Sequence, residues 1–254
     1  MAARGSGDPA RLVGLLWAAS GSGAAPGRTG LSTARVVDVA VTLADEEGLA
    51  AVTMRRVADA LGVGAMSLYT YVPGRAELVE LMLDRVAAQV YDGGDLPRDV
   101  REAAGWRAGV LRVVDANWAH HLRHPWTIDV PPARPVLGPG VTSKYELELA
   151  PLDGIGLSDL EIEHVLSSVL GLVGHAARWT IGVERVRAET ALTELEWWET
   201  VGPALGAAMG GRSFPLAERV GSAVGEAVQA ADDPELSMRY GVERLLDGVA
   251  ARLR

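Results

Sequence analysis

The segment from residue 31 to residue 74 constrains the fold most, because it carries the signals of several short helices in quick succession. Apolar residues first recur with the 3.6-residue period of an α-helix, at Val36, Val39, Ala40 and Leu43. Ser32 precedes this run as a candidate N-cap, and Gly48 follows it as a candidate left-handed stop. The pattern therefore predicts a helix that begins after Ser32 and ends before Gly48.

A second helix signal begins at Thr53 and ends at Gly62, in the run VTMRRVADALG. The chain then restarts in the run GAMSLYTYV and stops again at Pro73. In the restarted piece Leu68 and Val72 lie four residues apart, which places both on one helical face, toward the preceding helix. The other residues of this piece are left mostly outside, namely Ala65, Met66, Ser67, Tyr69, Thr70 and Tyr71.

Two short helices joined by a tight, glycine-containing turn predict a helix-turn-helix unit. In such a unit the second helix enters the DNA major groove, with its first residues against the base edges. Small and hydroxyl-bearing residues suit this position, because they can approach the bases closely and bind phosphate oxygens. Arg55, Arg56 and Arg75 stand at helix starts, where flanking phosphates would run. The alternative is a plain helical hairpin with solvated tyrosines.

The run from Leu31 to Val86 resembles the N-terminal DNA-binding domain of TetR-type transcriptional regulators. The segments VTMRRVADALGV, SLYTYV and PGRAEL carry the resemblance without gaps. It implies phosphate or base contacts from Thr53, Arg55, Ala65, Met66, Ser67, Tyr69, Thr70, Tyr71 and Arg75. Ala65 and Met66 stand where some relatives have polar base-reading residues, so apolar contact to thymine methyl groups and DNA shape are expected to contribute more here.

Helical patterning continues along the rest of the chain without an alternating strand pattern, so we predict an all-α fold. Further helices are expected at about residues 75–91, 99–124, 142–152, 158–183, 188–209, 215–230 and 234–253. Ser158 with Glu161 predicts a capping box, and Asp233 with Pro234 predicts the start of the last helix. The runs RHPW and RPVLGPGVTSKYE and the helix after Ser158 resemble the tetracycline-repressor-like C-terminal domain of the same family.

The predicted organisation has three parts: a flexible N-terminal arm at residues 1–30, a three-helix helix-turn-helix DNA-binding domain at 31–78, and a larger helical ligand-binding and dimerisation domain at 79–254. The arm contains the run RLVGLLWAAS, which predicts a short amphipathic helix on a flexible tail rather than a signal peptide. Its arginines Arg4, Arg11 and Arg28 outnumber Asp8. The arm is therefore expected either to enter the minor groove or to remain a solvated tail.

The net charge of −9 argues against non-specific binding to nucleic acid or to an anionic membrane, although a local basic face is compatible with it. No apolar run approaches the ~18 to 20 residues that a membrane span requires. The chain has no cysteine, which excludes disulfides, thiolate zinc sites and a cysteine nucleophile and is compatible with a reducing compartment. We therefore expect a cytoplasmic protein with no membrane partner.

One helix-turn-helix reads only half of a DNA site, so the resemblance implies a homodimer on a palindromic, double-stranded operator. The apolar helices at 158–183 and 234–253 are the candidates for the dimer interface, with an ordinary monomer core as the alternative. The resemblance also implies a small hydrophobic or aromatic ligand. Such a ligand lowers the affinity for DNA only by preferring the conformation that does not fit DNA.

Tryptophan is concentrated in the C-terminal part of the chain, and its indole ring stacks well on planar ligands. The candidate ligand contacts are Trp106, Asn117, His121, Trp126, Tyr145, His175, Arg178 and Trp179. For each of these residues the alternative is a core or interface side chain whose polar atoms are already satisfied.

His120 and His124 lie four residues apart on one helical face, a spacing that can chelate zinc. The glutamate of an HExxH metalloprotease is absent, and Arg123 would repel a cation. We therefore expect no metal site, no cofactor and no catalytic residue. The interpretation is a regulator of transcription and not an enzyme, in its simplest form a repressor that a small molecule releases from its operator. The alternatives are an activator on the same scaffold and a His-metal hydrolase in a helical bundle.

Overall fold

A computed structural model describes residues 9–20, 31–131, 134–228, 230 and 232–254. Within these residues the regular secondary structure is helical and no strand occurs, which confirms the predicted all-α fold. No helix in this part of the chain is long and apolar enough to cross a membrane.

The helices follow the start and stop signals of the sequence. In chain order they are α1 (Pro9–Ser20), α2 (Thr33–Glu47), α3 (Met54–Leu61), α4 (Ala65–Leu68), α5 (Arg75–Ala87), α6 (Pro97–Ala104), α7 (Trp106–Arg123), α8 (Pro139–Leu149), α9 (Asp159–Thr190), α10 (Glu194–Met209), α11 (Pro215–Val228) and α12 (Pro234–Arg252). Two 3-10 turns lie between α2 and α3 and after α7, at Leu49–Ala51 and Pro125–Asp129.

The chain packs as two compact units, one within residues 1–170 and the other within residues 171–252. The division falls inside α9, whereas the sequence analysis placed a domain boundary after residue 78. Helices α2 to α5 therefore belong to the same compact unit as α6, α7 and α8. The assignment of residues 31–78 to a separate DNA-binding domain stays a prediction.

The predicted helix caps are confirmed at each start. Ser32 and Thr53 accept the N–H three residues ahead at 3.2 and 3.1 Å. Ser158 and Glu161 form their capping box, since the Ser158 N–H donates to Glu161 Oε2 at 2.8 Å. Asp233 accepts the N–H of the third residue after it at 2.9 Å. These local bonds explain why the helix starts could be recognised from the sequence.

Several predicted helix bounds are wrong. Gly105, with φ 89°, separates α6 from α7, so the helix expected over 99–124 is two helices. Helix α9 continues past the expected end at residue 183 to Thr190. Helix α10 begins only at Glu194, after a capping box between Thr193 and Glu196 that the sequence analysis did not identify.

The core of the first unit lies among α1 to α5 and includes Trp126 from the 3-10 turn after α7. Side chains with no exposure include Val36, Ala40, Val52, Val57, Ala58, Leu68, Val72, Leu78 and Met82. Burying one large aliphatic side chain is worth roughly 1.5–3 kcal/mol. Helix α4 has only four residues and is far too short to be stable alone, so it depends on this core.

Helix α1 is docked on the first unit. It packs against α2, α5 and α8, and Leu16 is only 1% exposed. The Trp17 Nε1–H donates to the Leu137 carbonyl oxygen at 3.0 Å. The predicted short helix is thus confirmed at residues 9–20, where it packs against the first unit. The assignment of residues 1–30 to a flexible arm stays a prediction. Two of the arm's arginines, Arg4 and Arg28, lie outside the described residues.

Helices α5 and α8 approach each other closely at Gly140. A Cβ added there would lie 2.0 Å from the Asp84 carbonyl oxygen, so only glycine fits. The buried Asp84 side chain accepts the Val141 N–H at 2.9 Å and thereby holds the start of α8. The contact also explains why α8 begins at Pro139, before the predicted start at residue 142.

A buried polar network joins the segment after α5 to α7 and α8 around Glu148, which is 2% exposed. Glu148 Oε1 accepts from the Tyr91 hydroxyl at 3.0 Å and from Asn117 Nδ2 at 2.5 Å. Lys144 Nζ donates to Glu148 Oε2 at 2.7 Å. Burial, followed by the nearby Glu148 charge, raises the pKa of Tyr91, so its hydroxyl remains a donor.

In the second unit, α9 and α12 come close together at Gly241, where an added Cβ would lie 3.5 Å from Leu172 Cδ1. Apolar residues along both helices are buried, among them Val173, Ala177, Met238, Val242, Leu246 and Val249. Helices α10 and α11 differ from them, because none of their described side chains is buried. Their exposed large apolar residues are Trp197, Trp198, Leu205, Leu216 and Val220.

Replacing Gly140 by alanine should lower the free energy of unfolding by about 2 kcal/mol or more, because the backbone of α5 must move to admit the Cβ. Urea unfolding followed by circular dichroism measures this change. Gly14→Ala in α1 is the control, since a Cβ there meets nothing within 4 Å and alanine favours a helix. Equal midpoints for Gly140→Ala and the wild type would contradict the close contact.

Replacing Glu148 by alanine should cost about 3 kcal/mol, because it leaves Asn117 and Lys144 without their buried acceptor. The matched control is Glu146→Ala, an exposed position on the same helix, where about 0.5 kcal/mol or less is expected. Thermal unfolding of both variants by calorimetry makes the comparison. A Glu148→Ala protein as stable as Glu146→Ala would refute the network.

Candidate nucleic-acid interface

The candidate interface is the recognition element, which we define as residues 65–72. It consists of α4 and the turn after it, in which the N–H groups of Tyr71 and Val72 both donate to the Leu68 carbonyl oxygen at 2.8 Å. Leu68 and Val72 have no exposed surface and attach the element to the core. The element is therefore held from one side only, as the spacing of these two residues predicted.

The turn between α3 and α4 sets the direction in which the recognition element leaves the core. Gly62 adopts a left-handed conformation with φ 70°, and the Val63 N–H donates back to the Ala58 carbonyl oxygen at 3.0 Å. This arrangement ends α3 in the way that a glycine C-cap does. The next helix starts immediately, since the Ser67 N–H donates to the Gly64 carbonyl oxygen at 2.9 Å.

The outward face of the recognition element carries a mixture of apolar and hydroxyl groups. Met66 is 80% exposed and Tyr69 is 46% exposed. Ser67 and Thr70 are exposed beside them, as predicted. Ala65 and Tyr71, which were predicted to lie outside as well, are half-buried and pack against the core. The surface available to a partner is thus narrower than the sequence analysis expected.

Two of the predicted interface residues lie at the start of α3. The Thr53 hydroxyl accepts the Arg56 N–H at 3.1 Å, which leaves its own proton available to donate outward. The Arg55 side chain is 89% exposed and lies 4.0 Å from Asp59, a loose pair at the surface. Arg56, in contrast, is ion-paired with Glu47 of α2. Of these two arginines, Arg55 is the more available to an incoming phosphate.

Arg75 has a structural role that the sequence did not reveal. Its Nε donates to the Val52 carbonyl oxygen at 2.7 Å, and its Nη2 donates to the Leu49 carbonyl oxygen at 2.9 Å. The guanidinium therefore closes the 3-10 turn between α2 and α3. Arg75 was predicted to contact DNA, and no local pattern indicates its structural role, because both partners are backbone groups distant in the chain.

Sequence reasoning also missed Thr33 and Asp45. The Thr33 hydroxyl donates to the Tyr71 carbonyl oxygen at 3.4 Å and so ties the start of α2 to the recognition element. Asp45 Oδ1 accepts from Trp126 Nε1 and lies within hydrogen-bond distance of His124 Nδ1, both at 2.8 Å. No local pattern marks either residue, because their partners are distant in the chain.

The predicted ligand contacts of the first unit are engaged within that unit. Trp126 is 1% exposed and bonded to Asp45, and Asn117 belongs to the network around Glu148. His121 Nδ1 lies 3.0 Å from the Thr127 hydroxyl. These bonds satisfy the polar atoms of Asn117 and Trp126 within the unit, and a ligand role for the three residues stays a prediction.

The other five predicted contacts offer more surface, and two of them lie in the first unit. Tyr145 is exposed, and its hydroxyl donates to Glu163 Oε2 at 2.6 Å; this bond raises the pKa of Tyr145 and lowers that of Glu163. Trp106 is half-buried at the start of α7. In the second unit the rings of His175 and Trp179 meet edge to face at 6.1 Å, and Arg178 is exposed beside them. A ligand role for these five residues stays a prediction.

The histidines at the end of α7 do not form a metal centre in the described residues, where no group of three candidate ligands comes together. Burial and the neighbouring His121 and His124 lower the pKa of His120 to about 3, so its ring is neutral. His124 Nδ1 faces Asp45 at 2.8 Å instead of a site shared with His120.

The chain is similar to known regulators over most of its length. It is 36% identical over 245 residues to the HTH-type transcriptional repressor DrrR1 of Streptomyces coeruleorubidus, which covers 96% of this chain and 87% of the relative. Among solved structures it resembles SCO7222, a TetR regulator of Streptomyces coelicolor, with TM-score 0.61 and 24% identity. The match covers 87% of this chain and 98% of that one.

The structure of ActR from Streptomyces coelicolor in complex with actinorhodin matches with TM-score 0.61 and 24% identity, covering 87% of this chain and 96% of that one. Two family models match as well: bacterial regulatory proteins of the tetR family at residues 36–82, and the tetracycline-repressor-like C-terminal domain at residues 98–253. The second alone spans more than half of the chain. The chain therefore belongs to the tetR family of bacterial regulatory proteins.

Proposed function

We propose that this protein is a transcriptional repressor that binds a palindromic operator as a homodimer and leaves it when a small molecule binds. The observation that carries the proposal is the recognition element. Two fully buried residues, Leu68 and Val72, anchor it, while Met66, Ser67, Tyr69 and Thr70 face outward. Such an element has the form of a helix that enters the major groove.

The exposed side chains divide into two roles in this proposal. Tyr69, Thr70 and Thr53 supply hydroxyl groups that bind phosphate oxygens and set the register on the duplex. Met66 and Ser67 stand at the front of the element, where they face base edges. Met66 has no polar atom able to read a base by strong hydrogen bonds, so it favours contact with thymine methyl groups.

Arg55 is the cation that we assign to a phosphate, because its side chain is almost fully exposed. Arg75 is assigned chiefly a positioning role, since two of its nitrogens already bind backbone carbonyls. Ala65 and Tyr71 pack against the core and so help to position the recognition element. This division concentrates the electrostatic part of DNA binding on few residues, which fits a chain with a net charge of −9.

The homodimer is proposed to form through α9 and α12. Both helices have buried apolar residues, and both also leave large apolar side chains exposed, namely Leu160, Trp179, Val186, Leu236 and Tyr240. Exposed apolar groups in this number favour burial against a partner. A second copy would place two recognition elements on successive half-sites, about 34–36 Å apart.

A repressor is favoured over an activator by the relative of 36% identity, which is a transcriptional repressor. Response to a small molecule is supported by the fold shared with ActR, which binds actinorhodin. A His-metal hydrolase receives no support from the geometry around His124, whose Nδ1 faces Asp45. A protein that acts on bacterial DNA works in the cytoplasm, which is the location we propose.

Gel-shift titration with DNA that flanks the protein's own gene tests the proposed function. We expect a saturable shift at nanomolar protein, removed by excess unlabelled fragment but not by random DNA. Footprinting of the shifted fragment should reveal two related half-sites. Equal affinity for the flanking and random fragments would contradict a specific operator.

Arg55→Ala should reduce the dependence of the DNA association constant on salt, because one phosphate contact is lost. The slope of log K against log salt should fall by about 0.9. Arg98→Ala in α6, another exposed arginine, is the control and should leave the slope unchanged. Fluorescence anisotropy with the footprinted operator measures both variants, and an unaltered slope for Arg55→Ala would remove it from the interface.

Met66→Ala should lower affinity for the operator about tenfold while binding to random DNA stays the same, because apolar contacts to bases carry sequence information and phosphate contacts do not. Leu122→Ala, an exposed apolar residue of α7, serves as the control. The ratio of the two affinities, measured at one salt concentration, is the readout. Equal losses on both DNAs would show that Met66 does not read sequence.

A further inference from the structure

The second compact unit contains a cavity of about 630 Å³ between α10 and α11. Its lining includes Trp198, Leu205, Phe214, Glu218, Gly221 and Ser222. Cavities of roughly 300–1,000 Å³ hold small-molecule ligands in proteins. None of the eight ligand contacts expected from the sequence lies among the lining residues. The cavity is therefore a site that the sequence pattern did not indicate.

The walls of the cavity are aromatic and aliphatic. Trp198 of α10 and Phe214, directly before α11, are 39% and 47% exposed, and Leu205 is 48% exposed. Phe214 is the only phenylalanine of the chain. Leaving such side chains in water is costly, and a flat aromatic ligand would cover them while its faces stack on the rings. The aromatic residues of the lining thus favour a planar molecule.

The α11 side of the cavity is lined by small residues. Gly221 and Ser222 face the space, and a Cβ added at Gly221 would meet no atom within 4 Å. A larger side chain at position 221 would therefore project into the cavity without displacing protein atoms. This position allows the cavity to be filled while the helix is kept.

The charge of the lining selects among planar ligands. Among the described lining residues Glu218 is the only charged one, and no arginine or lysine accompanies it. Glu218 Oε1 accepts the Phe214 N–H at 3.2 Å, which fixes the carboxylate at the start of α11. Glu218 is exposed, and a carboxylate beside an apolar surface attracts a cation and repels an anion.

We propose that this cavity is the effector site and that it takes a planar aromatic molecule with one positive charge. The inference rests on the proposed function, because the effector is the molecule that releases the repressor from DNA. The aromatic walls provide most of the contact area, Glu218 orients the charged end, and the Ser222 hydroxyl is available to a polar edge of the ligand.

Two xanthene dyes of opposite charge test the proposal on the full chain in the absence of DNA. Rhodamine 6G is a planar cation and fluorescein is a planar anion at neutral pH, and fluorescence anisotropy reports the binding of each. We expect rhodamine 6G to bind at least about tenfold more tightly, since the carboxylate favours one dye and opposes the other. Equal binding of the two dyes would overturn the assigned charge.

Gly221→Leu should abolish binding of rhodamine 6G, because leucine fills the space and also favours the helix. Gly206→Leu in α10 is the matched control, since a Cβ there meets nothing within 4 Å and the residue does not line the cavity. Circular dichroism confirms that both variants are folded. Wild-type binding by Gly221→Leu would overturn the proposed site.

Glu218→Gln keeps an oxygen for the Phe214 N–H but removes the negative charge. It should weaken the binding of rhodamine 6G roughly fivefold and should not weaken the binding of fluorescein. Glu199→Gln, an exposed position on α10, is its control.

Trp198→Ala should weaken the binding of both dyes about tenfold. Trp197→Ala is the control, because Trp197 does not line the cavity, and it should leave the binding of both dyes unchanged.

Sedimentation of the same variants separates a ligand site from a contact between subunits. We expect Trp198→Ala and Gly221→Leu to sediment as the wild type does. A shift of either variant toward monomer would overturn the proposal and assign this apolar face to a second copy of the chain. The dye titrations use no DNA, so a negative result in them counts against the effector site alone. A negative result in the gel shift counts against the proposed function.

Discussion

The burial of Leu68 and Val72 is the interaction on which the proposed activity depends. A helix of four residues cannot persist alone in water, so α4 exists only because these two side chains lie in the core with Val57 and Ala58. The same burial leaves the opposite face of the element exposed. A single hydrophobic contact area therefore supplies both the stability and the orientation of the surface proposed to meet DNA.

The core beneath the recognition element is built from distant parts of the chain. Leu16 of α1 and Trp126 after α7 are buried in it, and Asp45 at the end of α2 binds Trp126. Thr33 links α2 to the turn at Tyr71. Helices α1, α2, α4 and α7 are consequently parts of one packed unit. Trp126, directly after α7, therefore lies in the same core that holds the recognition element.

Local chemistry made much of the fold predictable. Ser32, Thr53 and Asp233 bond to backbone groups three residues ahead, and Gly62 takes a left-handed conformation that other residues adopt rarely. The four-residue spacing of Leu68 and Val72 likewise decides which face of the recognition element is buried. Such features act within one helical turn, so the order of residues alone is sufficient to reveal them.

Roles set by distant partners were not predictable in the same way. Arg75 was expected at a phosphate but closes a turn at Leu49, Asn117 was expected at a ligand but binds Glu148, and the cavity beside Trp198 was not foreseen at all. The sequence by itself determined the helical class, the helix starts that carry a side-chain cap and the anchoring of the recognition element by Leu68 and Val72, because these follow from short-range bonds and periodicity. Only the tertiary structure decided which polar groups remain available to a partner and where a cavity remains, because both depend on packing between helices far apart in the chain.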